Sequence, residues 1–199
     1  MADPFYVTAV IVTHDGATWL PQVIASLTSQ SRKIDRIVAV DTGSTDNSVK
    51  LLKSARIPLF EEDREMGYGD AIEYALELTP SAGDDEWIWL IHDDCAPAAT
   101  ALQELIESVS QRPNVAMAGP KLRGWHDRNH LLEIGVSIAP NGARWTGLET
   151  LEKDQGQHDD VSEVLAVSTA GALIRRDYFE EIGGIDTDLG LFRDDVDLG

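Results

Sequence analysis

The sequence predicts an α/β fold: a mostly parallel central sheet with helices on both faces and a small antiparallel extension. Three observations point there. Apolar, β-branched runs of strand length alternate with segments of helical periodicity as far as residue 120. Two of those runs stop abruptly on acids, RIVAV (36–40) at Asp41 and WIWLI (87–91) at His92, Asp93 and Asp94. After residue 120 the rhythm breaks into polar, turn-rich chain with short strand candidates only. Unpaired carboxylates are costly to desolvate, and the carboxyl ends of strands in an open α/β sheet are where ligands sit. Acids delivered by two strands to one sheet edge describe a metal-and-phosphate site better than a plain surface.

The elements follow in order. YVTAVIVT (6–13) is an apolar run of the kind a buried strand needs. A helix is expected from Thr18 as N-cap to about Gln30, with Leu20, Val23, Ile24 and Leu27 on one face and Pro21 in the first turn. RIVAV is the second strand, and Ser44 or Thr45 is expected to cap the next helix, with Val49, Leu51 and Leu52 as its apolar positions. IPLF (57–60) is a short strand that leads through a charged loop to Gly67 and a helix from Asp70 to about Leu78. Then come the WIWLI strand, a helix over 98–111 and a strand near NVAMAG (114–119). LLEIGVSIA (131–139) and VLAVS (164–168) read as strands of the antiparallel extension, and the last segment holds a strand and a short helix near Tyr178–Ile182. The chain stops at DDVDLG without a turn or a basic closing residue, which reads as a chain cut short.

Composition narrows the partners. The chain has 199 residues, long enough for one domain with a full core, and carries 35 acids against 16 basic residues, a formal charge of −19. That balance argues against nucleic acid, whose phosphates require clustered Lys and Arg, and it suits divalent cations that bridge the protein to an anion. The single cysteine, Cys95, excludes an internal disulfide. It fits a reducing compartment and is most simply a small, partly buried hydrophobe. The N-terminus has no signal-peptide pattern, and no apolar run approaches the roughly 20 residues that span a bilayer. A cytoplasmic protein is expected.

The chemistry-bearing segments each carry a second, plainer reading. Asp93 and Asp94 could share a Mg²⁺ or Mn²⁺ with a diphosphate, since such ions keep waters and take only one or two protein carboxylates. His92 is a further possible ligand, and a solvated strand end capped by acids explains the same residues equally well. Asp41-Thr-Gly-Ser-Thr-Asp46 joins a strand-end acid to a flexible Gly43 and a helix start at Ser44, as an anion or ribose site would, and also as a capped β–α turn would. Gly67-Tyr-Gly69-Asp-Ala-Ile72 lacks the third glycine of a dinucleotide fingerprint, leaving Gly67 in a backbone loop near the ligand. His126 and His130 lie in a segment without helical character and read as loop histidines. The acids from Asp186 to Asp197 miss the EF-hand spacing but supply a candidate general base.

Taken together, the order of motifs resembles the nucleotide-sugar-dependent glycosyltransferases of family 2, with the GT-A fold. VTAVIVTHDGATWL is similar to the family's opening strand and turn, with His14-Asp15-Gly16 in place of an Asn-rich turn. IVAVDTGSTDNS is the most specific match, and WIWLIHDDCAP resembles the strand carrying the Asp-x-Asp motif, with His92 in place of its first acid. TAGALIRRDYFEEIGGID and FRDDVDLG resemble the acceptor-side segment and the acid pair that includes the base. The resemblance implies one domain over 1–199, with a nucleotide-binding half (1–120) and an acceptor-side half (121–199).

It further implies a nucleotide-diphospho-sugar donor, a divalent cation (Mg or Mn) and a saccharide or lipid-linked acceptor. Membrane attachment through a missing C-terminal region would place the full-length protein at the cytoplasmic face. Residue by residue, Asp41 should contact the base with Thr13 nearby, Asp93 should face the ribose or sugar, and Asp94 should be the principal metal ligand with His92 beside it. Asp15, Gly43, Ser44, Gly67 and Gly171 are expected to line the substrate. Asp195 is the expected general base, with Asp194 as second choice, in an inverting transfer. Two rivals use the same residues: a nucleotidyltransferase, which would usually carry a basic Gly-rich loop where HDGATWL stands, and a nucleotide-sugar-binding module without turnover.

Overall fold

A computed structural model of the chain describes residues 4–186 and Leu198. Its centre is a six-stranded sheet in the order β3-β2-β1-β4-β10-β5. The strands are β1 (Tyr6–Thr13), β2 (Arg36–Thr42), β3 (Leu59–Glu62), β4 (Glu86–His92), β5 (Met117–Ala118) and β10 (Leu173–Arg175). β3, β2, β1 and β4 pair in parallel. β10 runs antiparallel between β4 and β5, so the sheet is mixed.

Five helices flank it among the described residues: α1 (Leu20–Thr28), α2 (Ser48–Ser54), α3 (Tyr68–Glu77), α4 (Ala101–Ser110) and α5 (Arg176–Glu181). Alternation along β1 sends Val7, Ala9 and Ile11 to one face, where they pack with Leu20, Val23, Leu52, Leu102 and Ile106 of α1, α2 and α4. Val10 and Val12 point to the other face, against Ala71, Ile72 and Ala75 of α3 and Phe179 of α5. Both faces of β1 are therefore covered, which is why it reads as an unbroken apolar run.

Several boundaries differ from expectation. The second helix begins at Ser48, not at Ser44 or Thr45, because Ser44 and Thr45 bond to Asp15 of another loop, while Asp46 Oδ1 accepts from Ser48 N at the helix start. α3 begins at Tyr68, with Gly67 as N-cap and the Asp70 carboxylate accepting from Gly67 N at 3.3 Å. The 131–139 run splits into β7 (Leu131–Glu133) and β8 (Ser137–Ile138) around Gly135, whose φ is 113°. VLAVS forms only a bridge, Ala166 to Val136, and no strand. β7 pairs with β6 (Leu122–Arg123) and β8 with β9 (Arg144–Trp145), both antiparallel, which is the expected small extension.

Candidate active site

The parallel register sets the site. Thr13 stands opposite Asp41 at the carboxyl ends of β1 and β2, and Val12 stands opposite His92 of β4. Beyond those ends three loops converge.

Asp93 holds the β1–α1 turn. Its Oδ2 accepts from Thr13 Oγ1 at 2.8 Å and from His14 N at 2.9 Å. A side chain at Gly16 would begin 2.3 Å from that oxygen, so only glycine lets the turn close over it. Burial pushes the Asp93 carboxyl above its ordinary pKa, against the pull of those two bonds. His14 reaches the neighbouring strand, with Nδ1 2.7 Å from the carbonyl oxygen of Thr42. A carbonyl only accepts, so Nδ1 carries a proton, and Nε2 lies 3.6 Å from Asp15 Oδ2.

Asp41 is 2 % exposed. Its Oδ2 accepts from Ser44 N at 2.9 Å, while its Oδ1 is buried and has no hydrogen-bond partner. Between them Gly43 turns at φ 76° with its Cα against the backbone of Arg64, where a Cβ would come within 2.8 Å of the Arg64 nitrogen. The next residues cross to the first loop. Asp15 N donates to Ser44 Oγ at 2.9 Å, and Thr45 N donates to Asp15 Oδ1 at 2.7 Å. The Thr45 backbone bond holds the Asp15 carboxyl below its usual pKa. Ala17 N donates to Asp46 Oδ2 at 2.9 Å, and Ser48 N to Asp46 Oδ1 at 2.8 Å. Burial alone would raise the Asp46 pKa, but these bonds outweigh it and leave it lowered.

The other side of the β4 end opens into a groove of about 1970 Å³, lined among others by His92, Asp94, Cys95, Lys121, Gly171 and Tyr178. That volume exceeds the roughly 300–1,000 Å³ of a small-ligand pocket. Asp94 is exposed, and no hydrogen bond or ion pair engages its carboxylate among the described residues. The groove side of His92 is fixed: Nε2 lies 3.0 Å from Thr169 Oγ1, and the ring meets Tyr68 edge-on at 4.8 Å between centroids. Gly171, at φ 99°, donates to Leu90 O at 2.9 Å and accepts from Trp89 Nε1 at 3.0 Å. Its missing Cβ would stand 3.0 Å from Pro120, so the residue closes the groove wall against β4. Burial, and then the Asp94 charge, push the Cys95 thiol up to about 12, which makes it inert as a nucleophile.

The structure thus brings Thr13, Asp15, Asp41, Gly43, Ser44 and Asp93 together at one side of the β4 end, and His92, Asp94 and Gly171 at the other. Gly67 sits at the start of α3. Asp194 and Asp195 lie outside the described residues. Asp46, Thr169 and Tyr68 escaped the sequence reading. Asp46 stood inside a quoted motif as an apparent cap, while Thr169 and Tyr68 meet His92 only through the fold. As a metal site the arrangement is open: among the described residues no group of three or more His, Cys, Asp or Glu side chains is poised around one ion. The donor set fits a hard cation held by Asp94 and completed by phosphate and water oxygens, and does not fit a closed protein cage.

The model of the family described as glycosyl transferase family 2 matches residues 8–183. The chain belongs to that family. It is 24% identical over 211 residues to the N-acetylglucosaminyl-diphospho-decaprenol L-rhamnosyltransferase of Mycobacterium tuberculosis (strain ATCC 25618 / H37Rv), covering 96% of this chain and 68% of the relative. It is 27% identical over 195 residues to the galactofuranosyltransferase GlfT1 of Mycolicibacterium smegmatis, covering 96% of this chain and 63% of that protein. Among solved structures, the mannosyltransferase PcManGT from Pyrobaculum calidifontis, in complex with GDP-Man and Mn2+, superposes with a TM-score of 0.64 at 17% identity, over 94% of this chain and 49% of that one. S. aureus TarS 1–349 superposes at 0.65 and 13% identity, over 98% and 54%. These likenesses establish the GT-A fold, and the chain spans about half the length of those two structures.

Proposed function

We propose that this domain transfers a sugar, with inversion, from a nucleoside-diphosphate donor to an acceptor hydroxyl with the help of a divalent cation. The observation that carries the reading is the buried, unpartnered Oδ1 of Asp41 beside the turn of Gly43 and Ser44. A buried acceptor without a donor costs on the order of 1–3 kcal/mol, so the site is built for a donor that arrives with the ligand. The ring N–H of uracil, thymine or guanine supplies one, as does a ribose hydroxyl. Thr13 and Asp93 hold the floor of that side, and the exposed Asp94 would hold the cation. When bound, the cation would offset the charge that gathers on the leaving diphosphate.

The groove beyond His92 would admit the acceptor from the opposite side, so that its oxygen attacks the anomeric carbon away from the diphosphate. Asp195, with Asp194 beside it, would take the acceptor's proton. The groove's size suits a saccharide or lipid-linked acceptor, and a relative's name specifies a decaprenol-linked one. The reaction would run in the cytoplasm, or at the cytoplasmic face of a membrane.

A panel of nucleotide sugars with Mn²⁺ tests the reading by release of nucleoside mono- or diphosphate. Turnover of at least one nucleotide sugar is expected, with UDP-, dTDP- and GDP-sugars the first candidates. Donor affinity and turnover that Asp41→Ala leaves unchanged would contradict the role given to Asp41.

A further inference from the structure

Asp15 occupies the turn between β1 and α1, where the resemblance suggested a residue in contact with substrate. Its bonding says otherwise. The residue sits at φ 54°, a left-handed conformation that Asp and Asn tolerate better than other side chains. That conformation turns its N–H toward Ser44 Oγ (2.9 Å) while its own Oδ1 takes Thr45 N (2.7 Å) and Thr45 Oγ1 (3.2 Å). The two loops therefore exchange hydrogen bonds in both directions at one point. Ser44 is the same residue whose backbone N–H holds Oδ2 of Asp41. A second tie, Ala17 N to Asp46 Oδ2 at 2.9 Å, joins the loops again two residues further on. The other oxygen of Asp15, Oδ2, lies 3.6 Å from His14 Nε2 and 3.9 Å from Arg64, whose side chain is 65% exposed; both pairs are too open to add much.

We infer that Asp15 is a positioning residue: it locks Ser44 and Thr45 so that Oδ2 of Asp41 stays bound to the turn and Oδ1 stays aimed at the nucleotide. Asp15 Oδ1 is taken by Thr45 and Oδ2 faces His14 Nε2 and Arg64, so its contribution runs through the loops and not through a contact with donor. The inference rests on the proposed nucleotide site, and the test keeps the two separable.

Three variants of the full chain distinguish the roles. Asp15→Ala removes the acceptor and the left-handed preference. Asp15→Asn keeps both and removes only the charge. Ser44→Ala removes the acceptor of Asp15 N–H without touching Asp15. In nucleotide-free protein, NMR amide exchange at Thr45 should quicken about tenfold in Asp15→Ala and stay near wild type in Asp15→Asn. With UDP, dTDP or GDP and Mn²⁺, affinity should fall about tenfold in Asp15→Ala, fall less in Ser44→Ala, and recover in Asp15→Asn. In turnover, KM for the donor should rise while kcat at saturating donor holds. Equal weakness of Asp15→Asn and Asp15→Ala would overturn the inference, since it would mean that the charge itself meets the ligand. So would an unchanged Thr45 amide in Asp15→Ala. If wild type binds none of the three nucleotides, the proposed function fails, and the exchange comparison alone decides the latch.

Discussion

Asp41 is the residue at which stability and function pull apart. Its carboxylate is buried, bonded through one oxygen and unpartnered at the other. Asp41→Asn can keep its amide oxygen on Ser44 N and place its NH2 where Oδ1 stood. The nucleotide-free variant should therefore melt at the wild-type temperature or above it, because a buried charge has been removed. The same NH2 meets the incoming N–H or O–H donor head on, so nucleotide affinity should fall by about 1–3 kcal/mol. Thermal melts and calorimetry on one preparation check both halves. Loss of stability with affinity kept would return Asp41 to a turn-forming role.

At the scale of elements, the pole of the sheet opposite the site is closed by a buried ion pair. Arg176, at the start of α5, donates to Glu86 Oε2 (3.2 Å), to Leu76 O (2.9 Å) and to Thr79 O (3.1 Å). Glu86 also accepts from Thr8 Oγ1 at 2.5 Å and Ala82 N at 2.7 Å. Burial would raise the Glu86 pKa, and these partners outweigh it and lower it. Arg176→Met removes the nearer counter-charge and leaves the buried carboxylate only Arg36, at 3.8 Å, so chemical denaturation should show a loss of about 3–5 kcal/mol. A loss below about 1 kcal/mol would mean that Thr8, Ala82 and Arg36 satisfy Glu86 without Arg176.

In the segment 149–158 a dependence on pH is expected instead. Glu152 accepts from Glu149 N, Gln157 Nε2 and His158 Nε2, which bring its pKa down to about 2 from the ordinary 4.5. A lowered carboxylate stabilises the fold above its unfolded pKa and loses that contribution as pH falls through the folded one. Wild type should therefore exceed Glu152→Gln in stability above pH 4.5, and the gap should close between 4.5 and about 2. A gap that ignores pH would show that the carboxylate's charge is irrelevant there.

Strands buried on both faces were legible from apolar runs alone, whereas the antiparallel extension was legible as a whole but not in its strand bounds. VLAVS looks like a strand, yet Leu165 is 56% exposed and its partner segment turns at Gly135. The second helix was misplaced for a related reason. Ser44, Thr45 and Asp46 have capping side chains, but Asp15 and Ala17 from another loop compete for them. Local sequence shows capping ability and cannot show where it is used.

For the whole molecule, the β4 strand end divides the site. Asp41 and Asp94 were legible because each halts an apolar strand with a charge that such a strand cannot bury unaided. The contact of His92 with Thr169 was not, since 77 residues separate the pair in sequence and the fold alone joins them. In the proposed reaction the donor binds across this divide, its base at Asp41 and its diphosphate at a cation held by Asp94. Calorimetry of UDP, dTDP and GDP against wild type and Asp94→Ala, in Mn²⁺ and in EDTA, tests it most directly. In a chain of formal charge −19, affinity should need Mn²⁺ in wild type, and most of that dependence should vanish in Asp94→Ala. Equal affinity in Mn²⁺ and EDTA for every nucleotide that binds would contradict it.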